Sequence, residues 1–229
     1  MATPYYQDDQ VTLYHGDCLE ITEWLAADVL VTDPPYGMSF KQGRRFSKDG
    51  RSDWTSRWTD TQIAGDGDTS ARDKALGLWN SARPDRPVLM FGTWKTGAPD
   101  GVREVLVWDK VVSTGMGALD IPWRPSWELI YVIGNGFVGR RSHGVIQCSL
   151  PTLAPERKMH PTPKPVPLIE ALIAKCPPGV VADPFAGSGS TLVAARNMGR
   201  KAIGVELEER YCELVAKRLD QMCLDLGDR

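Results

Sequence analysis

No sign of charge dominates the chain: 27 lysines and arginines face 29 aspartates and glutamates over 229 residues, for a net charge of −2. A uniformly basic surface is thereby excluded, and contact with a polyanion has to come from local patches. No apolar run reaches the roughly 18 residues of a membrane-spanning helix and no stretch has the form of a signal peptide, so no membrane partner is expected. The five cysteines, Cys18, Cys148, Cys176, Cys212 and Cys223, are odd in number and include no C-x-x-C pair. That pattern argues against a disulfide framework and a zinc site, and points to a reduced, intracellular protein with no metal. Internal repeats, low-complexity tracts and interdomain linkers are also missing, so residues 1–229 are expected to form one domain. With 42% hydrophobic and 24% charged residues, that domain can bury a sizeable core.

What is present is organised around Asp183-Pro184-Phe185-Ala186-Gly187-Ser188-Gly189-Ser190-Thr191. The apolar run Val180-Val181-Ala182 precedes it and Leu192-Val193-Ala194-Ala195 follows, which reads as strand, glycine turn and helix. Such a corner binds nucleotides because glycine lets the backbone approach a ligand and the helix start offers unpaired N–H groups. Two common versions do not fit. A dinucleotide fingerprint needs a third glycine where Leu192 stands, and a phosphate-cradling loop needs a lysine beside Ser190 and Thr191. An adenosine-bearing ligand without a demanding polyphosphate remains. The next strand, Ala202-Ile203-Gly204-Val205, ends in Glu206, nineteen positions beyond Gly187, where an acid can accept hydrogen bonds from ribose hydroxyls. A plain solvated acid beside Glu208 and Glu209 is the alternative.

Upstream, Val11-Thr12-Leu13-Tyr14-His15 reads as a strand ended by Gly16-Asp17-Cys18, before a short helix over residues 19–25. Asp17 either faces a ligand or caps that helix. The β-branched run before Asp33-Pro34-Pro35-Tyr36 reads as a strand buried on both faces. The prolines lack N–H donors and have fixed φ, so this stiff loop presents carbonyl oxygens beside a carboxylate and an aromatic ring. That set can hold a planar ring with an exocyclic amine, the amine donating to Asp33 and a proline-region carbonyl while Tyr36 stacks on the ring. An ordinary turn is the alternative.

Residues 38–58 carry Lys41, Arg44, Arg45, Lys48, Arg51 and Arg57, interleaved with Phe40, Phe46, Trp54 and Trp58. Basic side chains among aromatics fit a phosphate backbone and unstacked bases, against the alternative of a merely solvated loop. Arg140, Arg141 and His143 form a smaller basic patch, in which His143 reads as a surface residue. Further strands are expected near 88–91, 104–110 and 127–133, with Gly134-Asn135-Gly136 as a hairpin-like turn, and helices over 73–82, 166–175 and 208–222. Strands separated by helix-length segments predict an open α/β sheet, twisted and mostly parallel, with an antiparallel edge.

Taken in order, Gly16-Asp17, Asp33-Pro34-Pro35-Tyr36, His160-Pro161-Thr162-Pro163-Lys164-Pro165, Asp183 to Gly189 and Gly204-Val205-Glu206 resemble the amino-methylating DNA methyltransferases that use S-adenosylmethionine. The likeness runs from about residue 11 to 220, and the base-gripping motif standing ahead of the glycine turn resembles the circularly permuted beta group. It implies a Rossmann-like methyltransferase fold, S-adenosylmethionine as cofactor, DNA as partner and a prokaryotic or phage-type cytoplasmic setting. Asp183, Phe185, Gly187, Ser188, Gly189, Ser190 and Thr191 would line the methionine end of the cofactor and Glu206 would hold its ribose. Asp17 and Cys18 would border the adenine, and His160, Thr162 and Lys164 would close over the cofactor from the other side. Asp33, Pro34, Pro35 and Tyr36 would hold a flipped-out base and carry catalysis. Within the family an aspartate at position 33 goes more often with adenine N6, and a serine with cytosine N4, so adenine is expected here, with cytosine N4 as the alternative. An RNA or small-molecule methyltransferase, or a catalytically silent DNA-binding module, is the alternative of another class.

One departure from the family pattern is the small target-recognition region. A basic insertion at about 38–66 and a short segment at about 134–158 are the candidates. Target choice is then left to that insertion, to Arg140 and Arg141, or to a second subunit in a homodimer; a very short target sequence fits equally well.

Overall fold

A computed structural model describes residues 2–38, 66–111, 120–149 and 163–226. Among these residues nine strands form one sheet: β1 (Tyr6–Gln7), β2 (Val11–His15), β3 (Val29–Thr32), β4 (Val88–Gly92), β5 (Val102–Asp109), β6 (Trp127–Ile133), β7 (Val145–Gln147), β8 (Val181–Asp183) and β9 (Ala202–Glu206). Their spatial order is β1-β2-β9-β8-β3-β4-β6-β5-β7. From β2 through β4 every pairing is parallel, while β6 runs against both β4 and β5 and β1 runs against β2. The mostly parallel sheet with an antiparallel edge is thus present.

Alternation along the central strands explains why both faces are covered. Val29 and Val31 of β3, with Leu89 and Phe91 of β4, join the core that also takes in residues of α2 (Val166–Ile173), α3 (Ser190–Asn197) and α4 (Glu209–Leu226). Leu30, Val88 and Met90 point to the other side, where α1 (Ser70–Ala82) packs with Trp24. Trp24 and Trp79 stack there at 6.0 Å. A strand whose side chains are buried alternately on two faces needs an apolar residue at every position, and β3 and β4 are buried throughout. Among the described residues no helix is long and apolar enough to cross a membrane.

Two local expectations are corrected. Residues 19–25 form no α-helix; a turn leads into a short 3-10 helix, Glu23–Ala26. Asp17 closes that turn, its carbonyl accepting from Glu20 and Ile21 N–H, and the Trp24 indole donates to Cys18 O at 2.9 Å. Gly134-Asn135-Gly136 does not return β6 onto a hairpin partner. Asn135 N–H bonds Asp85 O, and the chain passes on to β7, which pairs in parallel with β5.

The β8→β9 connection leads to one side of the sheet and β3→β4 to the other, so the strand order divides between β8 and β3. Ligands bind outside the carboxyl ends of strands at such a point. Asp33 and Asp183 follow or end these two strands. Helix α4 packs against β2 and β9.

Candidate active site

The glycine turn is locked from three directions. Ala186 N–H bonds Val205 O on β9, Gly189 N–H bonds Ala186 O, and the Arg218 guanidinium of α4 donates to Ser188 O at 2.6 Å. Gly189 starts α3 from a left-handed conformation with φ 78°, and a Cβ there would lie 2.8 Å from a Val215 methyl. Only glycine meets both demands. Ser190 and Thr191, the first residues of the helix, reach the cavity wall.

Asp183 is buried at the tip of β8. Its Oδ1 accepts from Thr32 Oγ1 at 2.7 Å and from Phe185 N–H at 3.1 Å. Burial pushes its carboxyl up to about 6 against these donors. Glu206, at the tip of β9, accepts from Gly187 N–H at 2.7 Å and Glu208 N–H at 2.8 Å, one on each oxygen. Burial raises its proton affinity too. Glu206 keeps a second lone pair on each oxygen, and Asp183, which also accepts from Thr191, keeps one acceptor site beyond its three donors. Gly16 N–H bonds Glu206 O and brings Asp17 beside it. Asp17 is exposed and accepts from Leu19 N–H at 2.8 Å, so it shapes the turn while lining the cavity. Cys18 is buried next to it, and its thiol is pushed up to about 12 by burial, which keeps it protonated.

Across the same cavity stands Asp33. Its Oδ2 accepts from Lys164 Nζ at 2.5 Å and its Oδ1 from Tyr36 Oη at 2.7 Å. Lys164 also lies 3.3 Å from Glu128 Oε2, and Lys110 Nζ meets Glu128 Oε1 at 2.6 Å. Lys164 sits 5.6 Å from the Tyr36 ring centroid and 5.1 Å from that of Phe91. Burial raises the proton affinity of Asp33, with Lys164 opposing and Glu128 adding to it. For Glu128 burial acts in the same sense, but Lys164 and Lys110 together outweigh it and hold its carboxyl low. Burial works against the Lys164 ammonium, and the two carboxylates overcome it, so Lys164 stays charged. The loop after Tyr36 is held by Asp66, whose Oδ1 accepts from Gly37 and Met38 N–H at 2.8 and 3.2 Å.

One cavity of about 380 Å³ is therefore lined by Asp33, Pro34, Pro35 and Tyr36 on one side and by Asp17, Cys18, Asp183, Phe185, Gly187, Ser188 and Glu206 on the other. Gly189 supports it from behind. Its size falls within the range of small-molecule pockets, roughly 300–1,000 Å³. Expected to close over a cofactor, Lys164 directs its ammonium to Asp33 instead, although it lines the same space. Arg140 and Arg141 lie elsewhere, in a second groove with Phe137, Val138 and Lys175 at the far end of α2. There Lys175 Nζ donates to Arg140 O. His160 and Thr162, and Lys41, Arg44, Arg45, Lys48, Arg51 and Arg57, lie outside the described residues, as does part of the segment at 134–158. Thr32, Asp66, Phe91, Lys110 and Glu128 escaped the sequence reading. Only the acid at Glu128, alone in an apolar strand, gives a local signal.

A family profile described as DNA methylase matches residues 102–217. The chain is 32% identical to the methylase YubD of Escherichia coli (strain K12) over 219 residues, covering 89% of this chain and 88% of that protein. The chain belongs to the N6/N4 DNA methylase family. Within that family it is 25% identical to the type II methyltransferase M.ScaI of Streptomyces caespitosus over 258 residues, covering 96% and 84% of the two chains. Its fold is similar to that of M1.HpyAVI, solved as a complex with SAM, at TM-score 0.63 and 20% identity over 91% of this chain and 98% of that one. It is also similar to PvuII DNA methyltransferase, described as cytosine-N4-specific, at TM-score 0.63 and 15% identity over 94% and 88%.

Proposed function

We propose that this methylase transfers a methyl group from S-adenosylmethionine to the exocyclic N6 amine of an adenine flipped out of DNA. The observation that carries the reading is the single cavity shared by Asp33-Pro34-Pro35-Tyr36 and by Asp183, Gly187 and Glu206. A donor with a ribose, an amino group and a sulfonium fits the second wall. Glu206 offers acceptor lone pairs for ribose hydroxyls, buried Asp183 offers negative charge beside the glycine turn, and Cys18 gives an apolar, unionised edge for a purine. When bound, S-adenosylmethionine supplies an activated methyl carbon, whose bond to sulfur breaks with both electrons staying on sulfur as the bond to nitrogen forms.

The remaining work falls to the chain itself. A base amine is a poor nucleophile because its lone pair is delocalised into the ring. Asp33 keeps a free lone pair on each oxygen beside its bonds to Lys164 and Tyr36, so it accepts an amine N–H, with a proline-region carbonyl as the second acceptor. Drawing both N–H groups from the ring plane localises the lone pair toward the glycine-turn wall. Positioning supplies most of the rate. After transfer, the surplus proton on nitrogen passes to Asp33, whose raised proton affinity suits that task. Tyr36 replaces the stacking that the flipped base loses. The domain 1–229 is read as one catalytic unit, with the basic residues at 41–57 on the DNA backbone. Arg140 and Arg141 are kept as a second backbone contact away from the cavity.

The test is incubation with methyl-labelled cofactor and unmethylated DNA, followed by digestion to nucleosides. Label in N6-methyladenine is expected. Label in N4-methylcytosine moves the acceptor to cytosine, and no label in any DNA overturns the reading.

A further inference from the structure

Behind Asp33 the structure holds four ions in a row: Lys110, Glu128, Lys164 and Asp33, with successive contacts of 2.6, 3.3 and 2.5 Å. They come from the end of β5, the start of β6, the residue pair before α2 and the end of β3. Register explains the meeting. Glu128 pairs with Trp108 on β5, so the antiparallel β6 starts at the sheet edge where β3 and β5 end. The side chains of Lys110, Glu128 and Lys164 are only 11%, 22% and 7% exposed. Ions this sheltered persist only when paired, and two cations against two anions leave the row neutral.

The ring is closed on its other side by Tyr36, whose hydroxyl lies 2.7 Å from Asp33 Oδ1 and 3.4 Å from Glu128 Oε2. Asp183, at the end of β8, also acts on Asp33 through its charge. Lys164 is therefore shared unequally between two carboxylates, and whatever alters Glu128 alters the hold of Lys164 on Asp33. Lys110 sits on the far side of Glu128, where it acts on Asp33 only through that chain and through its own field.

We propose that Glu128 and Lys110 are positioning residues that set, through Lys164, how strongly Asp33 binds a proton and therefore how readily it takes the one released after methylation. The inference rests on the role given to Asp33 above. It makes the two residues act with opposite signs. Without the Glu128 charge, two ammoniums face one carboxylate and Asp33 holds its proton less tightly. Without the Lys110 charge, Glu128 draws Lys164 away, excess negative charge remains, and Asp33 holds its proton more tightly. Removing both charges leaves a neutral Lys164–Asp33 pair.

The experiment follows the carboxyl-carbon NMR titration of Asp33, assigned by its loss in Asp33→Asn, in the cofactor-free full chain. The titration midpoint is expected to fall by about half a pH unit or more in Glu128→Gln, to rise in Lys110→Met, and to return toward the wild-type value in the double variant. Lys110→Arg keeps the charge and is expected to leave the midpoint in place. Should Lys110→Met fail to fold, Glu128→Gln against Glu128→Asp decides alone. A midpoint that does not move, or that moves the same way in both single variants, overturns the proposal. In parallel, the acid limb of the single-turnover methyl-transfer rate is expected to track the NMR midpoint. If the wild type methylates no DNA while the titration moves as described, the functional reading fails and the charge row stands. If DNA is methylated and the titration does not move, the inference alone fails.

Discussion

The two walls of the cavity hold their carboxylates by opposite means. At the glycine-turn wall, Asp183 and Glu206 accept from a hydroxyl and from backbone N–H groups supplied by adjacent strands and turns. At the Asp33 wall, Asp33 and Glu128 accept from lysine ammoniums and a phenol drawn from sites up to 131 positions away. Dipoles compensate burial only in part, so burial raises Asp183 to about 6 and raises Glu206 as well. Formal charges overcome it at Glu128, whose carboxyl is held low, while Asp33, which shares Lys164 with Glu128, is still raised by burial. The difference teaches that the first wall keeps negative charge with no cation paired to it among the described residues, which suits the cationic, hydroxyl-bearing ligand proposed for it. The second carries its own ammoniums, which suits the neutral base proposed there.

The largest expected effect breaks the second wall. Asp33→Ala should lower single-turnover methyl transfer by about 10²–10⁴-fold, the range for a lost proton acceptor. Next comes Asp183→Asn, which sharpens the contrast through stability. The native carboxyl binds its proton more tightly than the unfolded one, so the stability this group contributes is present below pH 3.8 and is lost as pH rises through about 6. The variant escapes that loss. Without cofactor it should exceed the wild type by up to about 3 kcal/mol at pH 7 in urea unfolding, with the advantage gone near pH 4. Glu128 has the opposite sign, because its lowered carboxyl contributes stability that is lost as pH falls. Replacing it should not stabilise the protein at neutral pH.

A smaller effect separates the walls by binding. Glu206→Ala should weaken S-adenosylmethionine by about 10–100-fold in calorimetry, matching the loss of charge-assisted hydrogen bonds. The smallest lies outside the cavity altogether. Replacing Arg44 and Arg45 with alanine should make the slope of log affinity for DNA against log salt shallower by about 1.8 while leaving cofactor affinity unchanged. An unchanged slope removes that pair from the DNA contact.

Asp33, Asp183 and Glu206 were legible in the sequence for one physical reason. Each ends or directly follows a short, mostly apolar parallel strand, and in such a sheet an acid at that place emerges at the carboxyl edge, where ligands bind. The central strands and α2 to α4 were readable from the same apolar periods. The meeting of Glu128 and Lys110 with Asp33 was not legible, because Glu128 lies on the antiparallel β6 and Lys110 just past the end of β5, and register across the sheet brings them together. Lys164 was recognised as part of a motif, but its ion pair with Asp33 was not, since spacing alone does not tell which partner a long flexible side chain will reach. The helix expected over residues 19–25 shortens to a turn and a 3-10 segment, because the indole of Trp24 bonding back to Cys18 leaves no local periodic signature.

Calorimetric titration of S-adenosylmethionine into Asp33→Ala tests the division between the walls most directly. The account predicts a dissociation constant within about threefold of the wild type, under 1 kcal/mol, in a protein that has lost methyl transfer. A collapse of cofactor affinity in that variant would contradict it, because Asp33 would then belong to the wall assigned to Asp183 and Glu206.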